Sequence, residues 1–243
     1  MDGRLQSLVL ASVFVFLAFS AAALRGDDTD PFDKPDQAGH GPICLMKADG
    51  SDLRILADLG QGRSAGSPQF SFDGKHVAFD AWLKEDTGAT RAKVFTVDVA
   101  SGVLQELTTG SMPCWLPNDE DEHHLAFFRH GADFGLWVIG LEEKKLKRLN
   151  SNGNCPRFSP NGTMFAYNRL GASGGIVVTR LASGEHDLIA PNRDFFGVCT
   201  YMHGFAWSPD SQKIVAQVRL SDHQHYEVHI IDVNTMKIER RTT

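Results

Sequence analysis

The sequence predicts an all-β chain: a β-propeller of four complete four-stranded blades preceded by a half-blade. Three observations carry that prediction. A hairpin unit, aromatic-Ser-x-Asp/Asn-Gly/Ser and then an apolar strand, recurs at Phe70–Phe79, Phe158–Tyr167 and Trp207–Ala216. The aromatic anchors Phe70, Trp115, Phe158 and Trp207 stand 45, 43 and 49 residues apart, the period of one four-stranded blade. After each anchor come three further short apolar runs joined by tight turns, with no α/β alternation to compete.

Residues 1–23 read as a secretory signal peptide. Arg4 precedes the apolar run Leu8–Phe19, and Ala21-Ala22-Ala23 fits a small-residue cleavage site. An uncleaved anchor is the alternative, since Leu8 to Leu24 approaches the lower limit of about 17 residues for a membrane span. No cysteine stands at the cleavage site, which argues against a lipoprotein anchor. Residues 24–42 carry Asp27, Asp28, Asp30, Asp33 and Asp36 beside Pro31 and Pro35 and are expected to form a disordered linker.

The propeller is expected over 43–243. Ile43–Met46 and Leu53–Leu56 form a hairpin with no partner strands before them. The first full blade continues from the Phe70 hairpin through Val94–Val99 and Val103–Leu107. The second runs from Pro113-Cys-Trp115 through Leu125–Phe128, Leu136–Ile139 and Lys145–Leu149. The third comprises Pro156–Phe158, Phe165–Tyr167, Ile176–Thr179 and Glu185–Ile189. The fourth comprises Phe205–Trp207, Ile214–Val218, Val228–Val233 and Ile238–Arg241. Two more strands beyond Thr243 would complete the blade begun at Ile43. The arc is therefore expected to close tightly as five units or to be a truncated six-bladed type, and the half-blade offers a route to oligomers.

A formal net charge of −6, with both signs interspersed, provides no basic field for nucleic acid or anionic lipid. Membrane contact is expected only through an uncleaved signal sequence. The four cysteines, Cys44, Cys114, Cys155 and Cys199, show no Cys-x-x-Cys spacing. Cys114 and Cys155 lie on equivalent strands of successive repeats, so a bridge and a pair of buried thiols are both open.

The units Pro68–Phe79, Pro156–Tyr167 and Phe205–Ala216 resemble the WD-like propeller repeats of TolB, which also occur in the propeller domains of prolyl oligopeptidases. The resemblance spans Ile43 to Thr243. It implies that the loops before each blade's first strand, with Arg63, Ser64, Met112, Asn154 and His203, face the central channel. Two features depart from the pattern: the acidic insertion Leu116–His124 in the second repeat, and the unclosed blade count.

The chemistry in the chain is sparse. No α/β stretch is present to hold a hydrolase nucleophile on a strand-to-helix turn, so the hydrolase half of a prolyl oligopeptidase is not expected. His223, His225, Glu227 and His229 would share one face of an extended strand, a donor set suited to zinc or manganese. Against this, His229 falls where the first repeat has Phe95. The adjacent pair His123-His124 would diverge on a strand. Arg129, Arg169 and Arg219 each follow a second-strand alanine by three residues and could rim one face of the disc, or could pair with neighbouring blades. Asn161-Gly-Thr163 matches a glycosylation sequon, and a turn already explains it.

These features lead to an expectation of an exported, non-catalytic propeller, periplasmic or secreted, without cofactor, that binds a protein or peptide partner of the cell envelope. The alternatives are a metal-dependent carbohydrate lyase or hydrolase and a truncated propeller without activity of its own.

Overall fold

The computed structural model describes residues 41–60, 63–83, 92–117, 124–171, 174–191, 200–219 and 226–242. Strands β1 (Ile43–Leu45) and β2 (Arg54–Ala57) form an antiparallel hairpin. Four antiparallel meanders follow in chain order. The first blade is β3 (Arg63–Phe70), β4 (His76–Leu83), β5 (Lys93–Asp98) and β6 (Leu104–Thr109). The second is β7 (Ser111–Trp115), β8 (His124–Arg129), β9 (Gly135–Gly140) and β10 (Leu146–Asn150). The third is β11 (Asn154–Phe158), β12 (Met164–Arg169), β13 (Gly175–Arg180) and β14 (His186–Pro191). The fourth is β15 (Thr200–Trp207), β16 (Lys213–Arg219), β17 (Tyr226–Asp232) and β18 (Ile238–Arg240). Among the described residues the helical content is one turn, Gly131–Asp133. The all-β propeller of four blades and a half-blade is the expected architecture.

The recurring turn has a side-chain cause. Ser71 Oγ donates to Asp73 Oδ1 (2.6 Å) and accepts the His76 N–H (2.9 Å), while Asp73 Oδ1 takes the Lys75 N–H (3.0 Å). Ser159, Asn161, Thr163 and Met164 repeat the arrangement, as do Ser208, Asp210, Gln212 and Lys213. The side chains replace backbone partners that the turn cannot supply. Ser159 is fully buried, so Ser159→Ala leaves the Met164 N–H without its acceptor. Urea denaturation is expected to show a loss of about 1–2 kcal/mol.

Each junction between successive units is an apolar cluster. The hairpin's Ile43, Leu45 and Leu56 cover Val77, Phe79 and Phe95 of the first blade. Trp115, Leu125 and Phe127 cover Ala78 and Val94. Phe158, Phe165 and Tyr167 cover Ala126, Leu136 and Val138. Phe205, Ile214 and Val218 cover Ala166, Ile176 and Val178. The anchor aromatics are thus the wedges between blades that a stack of half-buried sheets requires. Gly110 and Gly153 let these rings close on the backbone: a Cβ would lie 2.4 Å from Phe127 Cδ2 and 2.5 Å from Tyr167 Cδ2 respectively.

The innermost strands begin earlier than the sequence suggests. Arg63, Ser64, Met112, Asn154 and His203 lie inside β3, β7, β11 and β15 rather than in loops before them. The reason is a bulge. Gly66 pairs with Asp80 and Gln69 with Ala78, so β3 carries one residue more than β4 between these points. Ser111/Cys114 and Asn154/Arg157 repeat this against β8 and β12. The residue that absorbs it is left-handed each time, Ser67 (φ 49), Met112 (φ 54) and Cys155 (φ 53), and a proline always follows. Proline carries no N–H and disfavours the right-handed helical region before it, so both residues suit an interrupted ladder. In the fourth blade the interruption is longer, between Tyr201, opposite Val218, and Phe205, opposite Ala216.

Candidate functional site

The bulges set the upstream halves of the four innermost strands at equivalent places in successive blades. Arg63 and Ser64 open β3, paired through the backbone with Leu83 and Trp82. Met112 is half-buried on β7, Asn154 is 5% exposed at the start of β11, and His203 lies within the β15 interruption. These five candidates therefore occupy corresponding segments of the strands nearest the axis.

Gly62-Arg63-Ser64-Ala65-Gly66 spells the Gly-x-Ser-x-Gly of a nucleophile elbow. The elbow needs a sharp strand-to-helix turn. Ser64 instead sits in a regular antiparallel ladder, so the spelling carries none of that geometry.

Beside this segment lies a carboxylate that the sequence reading passed over. Asp80 is fully buried on β4, and its Oδ2 accepts the N–H of Met112 at 2.6 Å, across the junction with the next blade. Its Oδ1 has no hydrogen-bond partner among the described residues. Burial pushes the Asp80 carboxyl up to about 6, against the opposing pull of the Met112 amide, the Ser67 hydroxyl and the Arg157 charge. Asn154 Oδ1 is a second buried acceptor without a partner among the described residues. The signal for Asp80 was its place in the apolar strand Val77-Ala-Phe-Asp-Ala-Trp82, where the second blade has Phe128 and the third Asn168. Near Asp80's counterpart in the second blade, Ser111 Oγ lies 3.5 Å from His130 Nε2. In the first and third blades this segment therefore carries polar residues in otherwise apolar strands, with Asp80 Oδ1 and Asn154 Oδ1 unsatisfied among the described residues.

The arginines serve different ends. Arg129 Nε donates to the Thr109 carbonyl (3.1 Å) and its Nη2 to Thr108 Oγ1 (2.6 Å), both on the preceding blade. Its guanidinium also lies 5.7 Å from the Phe127 ring and 5.2 Å from the Trp137 ring. Arg129 thus ties two blades together. Arg169 is half-buried at the matching position, since Arg129 pairs with Gly135 and Arg169 with Gly175. Arg219 pairs with Thr200 and Tyr226, one register step further along its strand.

At the outer part of the fourth blade, Glu227 and His229 share a face, as alternation requires. His229 Nε2 is 3.1 Å from Glu227 Oε2, and Arg240 Nη2 is 2.7 Å from Glu227 Oε1. All but Arg240 are buried, and His229 stands opposite Ala216 as Phe95 stands opposite Phe79. Both Glu227 oxygens are already engaged. His223, His225 and His123 lie outside the described residues. His124 Nε2 is 3.6 Å from Glu143 Oε1. No group of three or more His, Cys, Asp or Glu side chains suited to a metal occurs among the described residues.

Cys44, Cys114 and Cys155 are buried free thiols, and Cys199 lies outside the described residues. Burial raises the Cys114 and Cys155 thiols. Cys114 Sγ accepts the Phe158 N–H at 3.4 Å, so it serves the junction between the second and third blades.

Solved structures with this arrangement share little sequence with the chain. TolB from Acinetobacter baumannii superposes with a TM-score of 0.64 at 18% identity, over 82% of this chain and 48% of that one. The fold is a TolB-like β-propeller. The TolB likeness extends to a putative TolB from Agrobacterium tumefaciens, with a TM-score of 0.60 at 16% identity, over 83% of this chain and 73% of that one. An oligogalacturonate lyase in complex with manganese shares the TolB-like fold too, with a TM-score of 0.59 at 11% identity, over 82% of this chain and 58% of that one. The chain thus spans about half the length of the Acinetobacter TolB. No family model matches the sequence, and no curated protein matches it.

Proposed function

We propose that the chain is an exported, non-catalytic binding module of the cell envelope, periplasmic or secreted, that holds a protein or peptide through the channel end formed by the upstream halves of its innermost strands. The observation that supports this most is the polar character of that segment. Among the described residues, Asp80 Oδ1 and Asn154 Oδ1 are buried acceptors without partners, in strands otherwise packed with aromatic and aliphatic residues. Buried acceptors of this kind are costly unless a ligand brings donors to them. Arg63, Ser64, Met112 and His203, on the same segments of the first strands, are the residues proposed to contact the partner, with Arg169 and Arg219 at the adjoining ends of the second strands. The apolar run before residue 24 supports export, and the TolB-like fold supports an envelope role.

The test is photo-crosslinking in the native envelope from two positions. A photoreactive residue at Ser64 sits at the channel end, and one at Lys75 sits at the opposite end of the same blade. The expected result is one discrete adduct from the Ser64 position and none from Lys75. Equal capture from both positions, or none from either, removes the reading. Stoichiometric manganese in protein purified with that metal would favour the carbohydrate-active alternative through His223, His225 and His229.

A further inference from the structure

The first three blades end on outermost strands β6, β10 and β14, whose far edges carry no further strand of the sheet. On two of the three, acid and base are matched inside the blade. Glu106 of β6 takes Lys93 of β5 at 2.6 Å, and Asp187 of β14 takes Arg180 of β13. The strand β10 differs. Lys144, Lys145, Lys147 and Arg148 fall within five residues, and every residue from Leu146 to Leu149 is exposed, the two leucines by 38% and 41%. Among the described residues no acidic side chain pairs with any of the three lysines. Glu143, in the preceding turn, lies 3.6 Å from His124 instead. Arg148 donates to the Phe134 carbonyl and lies 5.6 Å from the Trp137 ring, so it is fixed in place without being neutralised.

The same edge is open along its backbone. Leu146, Lys147 and Arg148 pair with Ile139, Val138 and Trp137 of β9, so alternate residues turn their N–H and C=O groups away from the blade. Among the described residues no further backbone hydrogen bond reaches residues 146–149. Leu146 and Arg148 lie on the side of Ile139 and Trp137, which pack towards the first blade, and Lys147 lies on the side of Val138. A strand laid here therefore meets cations on both sides and leucine between them. That combination selects the occupant. A second β10 would set lysine against lysine, which destabilises a cross-strand pair. A polysaccharide or lipid anion would answer the charge and leave the row of backbone groups unmet. Residues 24–42 bring aspartates, but also Pro31 and Pro35, which lack the N–H that a ladder needs. An extended polypeptide with acids opposite Lys145, Lys147 and Arg148 and apolar residues opposite the leucines meets all three demands.

We propose that the outer edge of β10 receives an acidic, extended segment of another polypeptide as a fifth strand of the second blade. The site is independent of the channel end, because β10 is the strand of its sheet farthest from β7. The lysines then serve twice, rejecting self-pairing by like charge and choosing the partner by opposite charge.

The probe is a fluorescent peptide of two Glu-Val-Glu-Glu-Val repeats. Titration of the full chain into it is expected to give a saturable rise in anisotropy. The double variant Lys145→Glu, Lys147→Glu should weaken binding at least tenfold without changing the melting temperature, because both side chains are exposed. The same variant should gain binding to a peptide in which lysine replaces each glutamate. A probe methylated on alternate backbone nitrogens tests the strand pairing separately from the charge, and should bind at least tenfold more weakly to the wild-type chain. No saturable binding, undiminished binding to the double variant, or undiminished binding of the methylated probe overturns the proposal. So does displacement of the probe by oligogalacturonate or phosphatidylglycerol vesicles at equal charge, since the lysines would then be a general anion surface. Crosslinking from Ser64 should persist in the double variant, which separates failure here from failure at the channel end.

Discussion

Trp115→Ala is expected to cost about 3–5 kcal/mol of stability, a large share of what holds a domain folded. The side chain is 1% exposed and packs with Ala78, Val94, Leu125, Phe127 and Ile139 at the junction of the first two blades. Its indole N–H donates to the Gln69 carbonyl at 3.0 Å, and its backbone N–H donates to Gln69 Oε1 at 3.1 Å. Truncation leaves a cavity and an unpaired carbonyl together. Trp115→Phe keeps most of the apolar body and loses the indole bond, so about 1–2 kcal/mol is expected there. Guanidinium denaturation followed by far-ultraviolet circular dichroism measures both. If the alanine variant lost less than about 1 kcal/mol, the blades would not depend on this wedge.

The second large effect is a pH dependence carried by Asp80. Its carboxyl moves from the ordinary 3.8 up to about 6 because burial disfavours the charge. The folded chain therefore holds this proton more tightly than the unfolded chain. The contribution is fully present below about pH 3.8 and is lost as pH rises through about 6. Two units of displacement correspond to about 3 kcal/mol. Turn carboxylates such as Asp98, Asp210 and Asp232 are shifted downward by the hydrogen bonds they accept and act in the opposite direction, so the wild-type curve alone does not isolate Asp80. The difference between wild type and Asp80→Asn does. That difference should fall by about 2 kcal/mol in favour of the variant between pH 4 and pH 7. A difference that stays flat across this range would mean that the carboxyl is solvated after all.

The repeat and its wedges were legible from residue spacing because Phe70, Trp115, Phe158 and Trp207 do the same physical work in each blade. Even the second blade, which lacks the Ser-x-Asp turn, declared itself through Trp115. His229 was legible as a blade residue because it took the place of Phe95. The functional end was harder to read. Asp80 looks like one polar residue in an apolar strand until the Met112 amide of the next blade is seen to meet it, a contact 32 residues away in sequence. Arg129, Arg169 and Arg219 looked equivalent by counting from an alanine. Pairing shows that Ala216 stands one step beyond Ala126 and Ala166, an offset that only the fourth blade's longer strand interruption reveals. The length of the innermost strands was hidden for a related reason, since a proline inside each run reads as a strand boundary.

The left-handed residue before each of those prolines acts as a phase break. Side chains alternate along a strand, so an inserted residue exchanges the two sides for everything beyond it. Downstream of Ser67, Met112 and Cys155 the strands repeat one theme, an aromatic wedge two residues past the proline. Upstream the residues differ, Arg63-Ser64, Ser111, Asn154 and Met202-His203, and what recurs is the glycine on which a ring closes, Gly110 and Gly153. Substitutions on the channel side can therefore accumulate without changing which side chains are delivered to the junctions. One short strand is split into a half that must be conserved in kind for the blades to stack and a half that is free to diversify, and the same device is installed in three consecutive blades.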